Sequence, residues 1–245
     1  MKLPKGWINT ELGKVCKLKN GFAFKSTEYK EYGVPVVRIS DINNEIISVV
    51  NSVKVNERDI YENYLVEKDD ILIAMSGATT GKFGIYKDSE KAYQNQRVGN
   101  FKILNKDLLC NNFLFYCIYN LKRQIEKDAY GGAQPNISST KIENLEIPLP
   151  PLSEQHRIVA KIEELFSELD NGIEQLKKAK QQIKTYRQAV LKAAFEGKLT
   201  NKNVIDGELP EGWELSKIKD CLFLKKDKHK PEKTQKLFYI GLEHI

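Results

Sequence analysis

The 245-residue sequence has no apolar run approaching the ~18 residues of a membrane-spanning helix. Its N-terminus, MKLPKGWINTELGK, lacks the apolar centre of a signal peptide. The expected location is therefore the reducing cytoplasm. The four cysteines (Cys16, Cys110, Cys117 and Cys221) are scattered and form no C-x-x-C pair, which argues against a zinc site and a disulfide framework. His156, His229 and His244 fall in unrelated segments without metal-ligand spacing. No glycine-rich dinucleotide or methyl-donor fingerprint occurs, and no Ser/His/Asp or Cys/His arrangement suggests nucleophilic catalysis. GATTGK (Gly77 to Lys82) approaches a phosphate loop. That loop needs four residues between its glycines and a Ser or Thr after the lysine; here Ala78, Thr79 and Thr80 intervene and Phe83 follows. Glu28-Tyr29-Lys30 has the bare E-x-K spacing of some nucleases but no acidic partner on a strand. No catalytic site and no bound metal or cofactor is expected.

What is present is a 41% apolar, 29% charged chain, enough for a sizeable core and far from disorder. The net charge of +6 permits a polyanionic partner, but it is spread along the chain, so binding to nucleic acid requires a shaped surface. Three regions separate by pattern. Up to about Pro151, short β-branched runs alternate with turns: VPVVRIS (Val34 to Ser40), DILIAMS (Asp70 to Ser76), FGIY (Phe83 to Tyr86) and VGNFKIL (Val98 to Leu104) read as strands. Asn111 to Lys127 has helical spacing with Asn111 or Asn112 as N-cap. The mixture predicts an α+β domain over 1–152.

Pro148, Pro150 and Pro151 end that region. From Ser153, a suitable N-cap, to Glu196 there is no proline, and Gly197 is a suitable residue to end a helix. At ~1.5 Å per residue this is a rod of about 65 Å. Ile158, Ile162, Leu165, Leu169, Gly172, Leu176, Ala179, Ile183, Tyr186, Val190 and Ala193 alternate by four and three, a heptad seam. Gly172 predicts a kink or break at Asn171-Gly172. The rod is acidic in its first half (Glu163, Glu164, Glu168, Asp170, Glu174) and basic in its second (Lys177, Lys178, Lys180, Lys184, Arg187, Lys192). An antiparallel copy would lay acid against base, so residues 153–200 are expected to be a dimerisation helix.

The third region, 201–245, restarts the first. LPKGW (Leu3 to Trp7) is echoed by LPEGW (Leu209 to Trp213), and VPVVRISDI by LFYIGLEHI (Leu237 to Ile245). This is a tandem repeat with a period of roughly 205 residues. The second copy is expected to be truncated after its first or second strand.

Four polar turns offer groups for a nucleic acid. YQNQR (Tyr93 to Arg97) carries Gln94, Asn95, Gln96 and Arg97, amides suited to adenine and a guanidinium suited to guanine. GGAQPN carries Gln134 and Asn136, and NGFAFKS carries Lys25 and Ser26. Ser76, Thr79, Thr80 and Lys82 of the GATTGK turn suit a phosphate backbone.

SGATTGKFGI, NQRVGNF and GGAQPNISSTKIENLEIPLPPLSEQHRIVAKIEELF (Gly131 to Phe166), in this order and between two LPxGW motifs, resemble the specificity subunit of type I restriction–modification systems. The resemblance implies alternating recognition domains, each with a β-helix-like mixed core, and spacer helices that pair antiparallel. It implies a non-catalytic subunit that reads a bipartite site in double-stranded DNA. Its partners would be modification subunits, which methylate adenine with S-adenosylmethionine, and restriction subunits, which use ATP and Mg. A chain with one complete domain and one helix is expected to pair as a homodimer. The alternatives are a free-standing DNA-binding dimer and a remnant that folds without assembling.

Overall fold

The computed structural model describes residues 3–43, 45–130, 135–201, 203–226, 228, 230 and 238. Among them the strands are β1 (Ile8–Glu11), β2 (Cys16–Asn20), β3 (Val34–Val37), β4 (Ile42–Asn43), β5 (Glu45–Ile47), β6 (Lys54–Val55), β7 (Leu65–Val66), β8 (Ile71–Ala74), β9 (Phe83–Tyr86), β10 (Ala92–Gln94), β11 (Val98–Ile103) and β12 (Glu146–Leu149). The helices are α1 (Asn111–Ala129), α2 (Ser139–Glu143), α3 (Leu152–Phe195) and α4 (Ile218–Cys221). The chain divides into two compact units, 1–170 and 171–245, with the boundary inside α3.

The first unit is α+β with mixed sheets, as the sequence predicts. A six-stranded sheet runs β2-β11-β8-β9-β5-β4, a four-stranded one β6-β3-β10-β7, and β1 pairs with β12. Most pairs are antiparallel; β5–β9 and β10–β3 are parallel. The centre is β8. Ile71 and Ile73 pack in one cluster with Phe113, Leu114 and Ile118 of α1, while Leu72 and Ala74 pack in another with Val37, Val66 and Ala92. A strand covered on both faces must be apolar at every position, which is why ILIA reads as a continuous run. A third cluster is aromatic: Phe24, Tyr61 and Tyr93, with Phe22 against Phe24 and Tyr61 at ring separations of 5.0 and 5.1 Å.

The four strand runs and the long helices fall where the sequence places them, but two caps differ. Helix α1 starts from Cys110, without a side-chain cap; Asn111 is its first residue and donates from Nδ2 to the Asp69 carbonyl at 2.7 Å. Helix α3 starts at Leu152, so Ser153 lies inside its first turn, and the amides of Glu154 and Gln155 donate to the Pro151 carbonyl. Proline fixes the backbone for that first turn, and the helix gains a residue at its start. At the other end Gly197 adopts φ +73°, with its own amide donating to Ala194 and that of Lys198 to Ala193. This Schellman arrangement is the stop that the sequence predicts. Of the kink or break expected at Asn171-Gly172, the break is absent: the helix is continuous through both residues. Beyond Ile162 its apolar seam faces solvent: Leu169 is 60% and Leu176 72% exposed.

The repeated pentapeptide has the same local form twice. Trp7 donates to the Pro4 carbonyl and Trp213 to that of Pro210, with Gly6 at φ +87° and Gly212 at φ +83°. These are type II turns, which require glycine at the third position. Leu12 and Ile218, five residues after each tryptophan, each begin a helical turn, but Leu12 is buried and Ile218 is 78% exposed. The Val34-to-Ile42 echo over 237–245 lies outside the described residues apart from Phe238.

Candidate nucleic-acid interface

Three of the loops singled out in the sequence meet. The turn after β8 and the segment before α2 form an antiparallel bridge, Ser76 to Asn136. It is flanked by bonds from the Ile137 amide to Met75 and from the Gly77 amide to Pro135. The β10–β11 turn joins from the other side. The Met75 amide donates to the Arg97 carbonyl, and the Gln96 amide donates to the Phe22 carbonyl. Gly21 makes the last approach possible, because a Cβ there would collide with the Gln94 carbonyl oxygen.

These crossings frame an open groove of about 340 Å³. Ser76, Gln96, Arg97 and Asn136 line it, all expected contacts, together with Asn20, Ser138 and Ser139, which lie in the quoted motifs but are not among their expected contacts. Gln96, Arg97, Asn136 and Asn20 are exposed, so their amides and guanidinium are open to a ligand. A groove with three amides, three hydroxyls and one guanidinium offers donors and acceptors for base edges and phosphates alike. Its frame is backbone hydrogen bonding, so the side chains are presented from a fixed platform. Asn20 opens the NGFAFKS turn, in which Lys25 and Ser26 are the expected contacts; its place beside Gly21 is the available signal.

Other expected contacts differ. Gln94 is 2% exposed, and its Nε2 donates to the carbonyls of Lys19 and Val98 at 2.7 and 2.6 Å. It ends a buried strand and satisfies backbone acceptors, so both amide hydrogens are withdrawn from any base. Thr80 is likewise buried, its hydroxyl donating to the Gly77 carbonyl at 2.6 Å; it holds the turn together rather than meeting phosphate. Thr79 is half-buried and reaches the Ile39 carbonyl at 3.4 Å. Asn95 accepts from the Arg97 amide at 3.2 Å and so shapes the turn. Lys82, Lys25 and Ser26 are exposed outside the groove lining. Lys25 sits beside Glu28, whose carboxyl is held below its ordinary range by the Lys25 amide and the Tyr61 hydroxyl. Gln134 lies outside the described residues.

The domain that carries the groove is tied to α3 through Gln155, which lies in the Gly131-to-Phe166 segment but is not among its expected contacts. Gln155, in the first turn of α3, is wholly buried. Its Nε2 donates to the carbonyls of Leu108 and Pro150 at 2.7 and 2.9 Å, and its Oε1 accepts from the Cys110 amide at 3.0 Å. It thus joins the start of α3 to the start of α1. The thiols of Cys16 and Cys117 are both pushed up to about 12, chiefly by burial, which keeps them protonated and inert. Among the described residues, no helix is long and apolar enough to cross a membrane.

Residues 4–185 match the family model of the type I restriction modification DNA specificity domain. The EcoBI specificity subunit of Escherichia coli is 30% identical over 205 residues, covering 83% of this chain and 41% of that one. The MjaVIII specificity subunit of Methanocaldococcus jannaschii is 30% identical over 214 residues, covering 83% and 48%. The HsdS subunit from Thermoanaerobacter tengcongensis shares the fold at a TM-score of 0.61 with 24% identity, over 80% of this chain and 46% of that one. This chain therefore spans less than half the length of each of these relatives. From the matched family model, which covers most of its length, the chain belongs to the type I restriction–modification DNA specificity family.

Proposed function

We propose that this chain is a non-catalytic, cytoplasmic DNA-recognition subunit that reads one half of a bipartite double-stranded site. On this reading it directs modification subunits, which methylate adenine from S-adenosylmethionine, and restriction subunits, which translocate and cleave DNA with ATP and Mg. The carrying observation is the groove in which Ser76, Gln96, Arg97 and Asn136 converge. Gln96, Arg97 and Asn136 contact base edges; Ser76 and Thr79, with Lys25, Ser26 and Lys82, contact the phosphate backbone. Residues 1–152 form the recognition domain, 153–200 the spacer helix, and 201–245 the start of a second recognition domain.

The helix pairs with a second copy. Leu165, Leu169, Leu176, Ile183 and Tyr186 are all 48% exposed or more. Burying each contributes about 1.5–3 kcal/mol. Ile158, Ile162 and Val190 extend the seam at its ends. Exposed ion pairs contribute under ~1 kcal/mol each, but they select the antiparallel orientation once the seam has supplied affinity. A twofold axis near Leu176 then places two identical recognition domains on a palindromic, interrupted target.

Two measurements test this reading. In a gel shift on a random duplex library, the chain with a modification subunit should select a common sequence; uniform retention of the library would contradict the recognition role. In sedimentation equilibrium the chain should be a dimer and the Leu169→Asp/Ile183→Asp variant a monomer. A parent that stays monomeric, or a variant that dimerises equally well, would contradict the pairing.

A further inference from the structure

Arg38 follows β3 and is not among the contacts expected from the sequence. Its neighbours in the chain are fastened to two of the turns that frame the groove. Val37 lies beside Gln94 in the β3–β10 pair, and the Asn95 amide donates to the Val37 carbonyl at 3.0 Å. The Ile39 carbonyl accepts from the Thr79 hydroxyl at 3.4 Å, and a Cβ on Gly77 would come within 3.2 Å of Ile39 Cδ1. Phe22 is bridged to Asn95 from the other side, so Arg38 borders the β10–β11 turn on the flank away from the Phe22 segment.

The guanidinium of Arg38 is held at its inner end only. Nε is buried, 3.6 Å from Asp41 Oδ2, too far for a hydrogen bond. Asp41 is itself fixed: Oδ2 accepts from the Arg38 amide at 2.9 Å and Oδ1 from the Ser40 hydroxyl at 3.1 Å. The Arg38 side chain stays 32% exposed, and among the described residues neither of its Nη groups has a hydrogen-bond partner. A donor fork therefore stands beside the groove on a charge that is already offset. A phosphate arriving there would be set against the Asp41 carboxylate, whereas a base edge carries no net charge. Guanine presents O6 and N7 as paired acceptors in the major groove, and these match a guanidinium fork. The second copy of the repeat carries Gly241 where the first has Arg38. The shared pattern does not require the arginine, as expected of a residue by which two recognition domains differ.

We propose that Arg38 is a specificity-determining residue that reads a guanine of the half-site in the major groove, with Asp41 positioning its guanidinium. The inference rests on the recognition reading above and deepens it, adding a base type and a residue outside the groove lining.

The test uses the full chain with a modification subunit, in binding-site selection from random duplexes and in gel-shift titrations over a range of salt. The parent should fix a G·C pair at a position where Arg38→Ala accepts any pair. The affinity of Arg38→Ala for the parent's site should fall roughly tenfold to a hundredfold, with an unchanged salt slope. Arg38→Lys keeps the charge beside Asp41 but loses the fork, so it should relax the same position even if alanine loosens the loop. Variants that weaken all sequences alike and lower the slope by about 0.9 would make Arg38 a phosphate contact and overturn the assignment. Relaxation at an A·T pair, or the parent's selected sequence in both variants, overturns it too and leaves the recognition reading standing. A parent that selects no sequence overturns both.

Discussion

Replacing Gln155 by alanine should loosen the start of α3 from the start of α1. The side chain is wholly buried and makes three hydrogen bonds, two donated and one accepted. Alanine leaves the Cys110 amide and the carbonyls of Leu108 and Pro150 without those partners. A buried group left unsatisfied costs about 1–3 kcal/mol, and a carbonyl that retains access to water falls at the low end. The sum expected is about 3–5 kcal/mol, a large share of the roughly 5–15 kcal/mol that typically holds a domain folded. Urea unfolding should show the midpoint falling, and amide exchange should show the first turns of α1 and α3 opening together, since the three bonds join those two helix starts. Gln155→Glu keeps the acceptor for Cys110 but places a carboxylate against two carbonyls. Its folded-state pKa is raised, so its penalty grows as pH rises above the ordinary carboxylate value, and the variant should be most stable in acid. A Gln155→Ala protein within about 0.5 kcal/mol of the parent would refute the reasoning, because surface substitutions already span that range.

Alanine at Gln96, Arg97 or Asn136 should change which sequences are preferred in a binding-site selection, whereas alanine at Lys25 or Lys82 should weaken all sequences alike and lower the salt slope by about 0.9 for each phosphate no longer neutralised. Gln94→Ala should act differently from Gln96→Ala, lowering thermal stability before any change in preference, because its amide is committed to Lys19 and Val98. Gly21→Ala drives a Cβ against the Gln94 carbonyl, so it should displace the β10–β11 turn and abolish selective binding in the same assay while the helix content measured by circular dichroism persists. Burial raises the Glu143 carboxyl, but the Leu18 amide and Lys17 outweigh it and hold the group below its ordinary range. A depressed folded-state value stabilises the protein above the unfolded pKa and is lost as pH falls through the folded one, so acid unfolding should be shallower in Glu143→Gln.

Long periodic features were legible in the sequence and short ones were not. The seam of α3 repeats over many turns, so Gly197 and the proline cluster bounded it to within a residue. Strand β8 was legible because burial on both faces forces an unbroken apolar run. Two-residue strands such as β4, β6 and β7 have too few positions for any periodicity and are defined by their partners.

The polar residues divide on the same ground. Gln94, Gln96 and Gln155 carry the same amide, yet one closes a strand, one faces the groove and one joins two helix starts. Which partner an amide finds depends on chain segments far away in sequence, and single-sequence patterns do not encode that distance. Asn20 and Ser138 enter the groove only because the loops cross. The Gly172 break failed to form because a lone glycine in a helix costs about 1 kcal/mol, less than the propagation of the surrounding turns supplies.

The central claim is that this chain sets the DNA sequence on which an associated methylase acts. The most direct measurement incubates the chain with a modification subunit and S-adenosylmethionine on a random duplex library, then maps methylated adenines. The account predicts methylation confined to one interrupted palindrome, changed in sequence by substitutions at Gln96 or Asn136 and absent when this chain is omitted. Methylation without sequence preference, or the same sites with and without this chain, would contradict it.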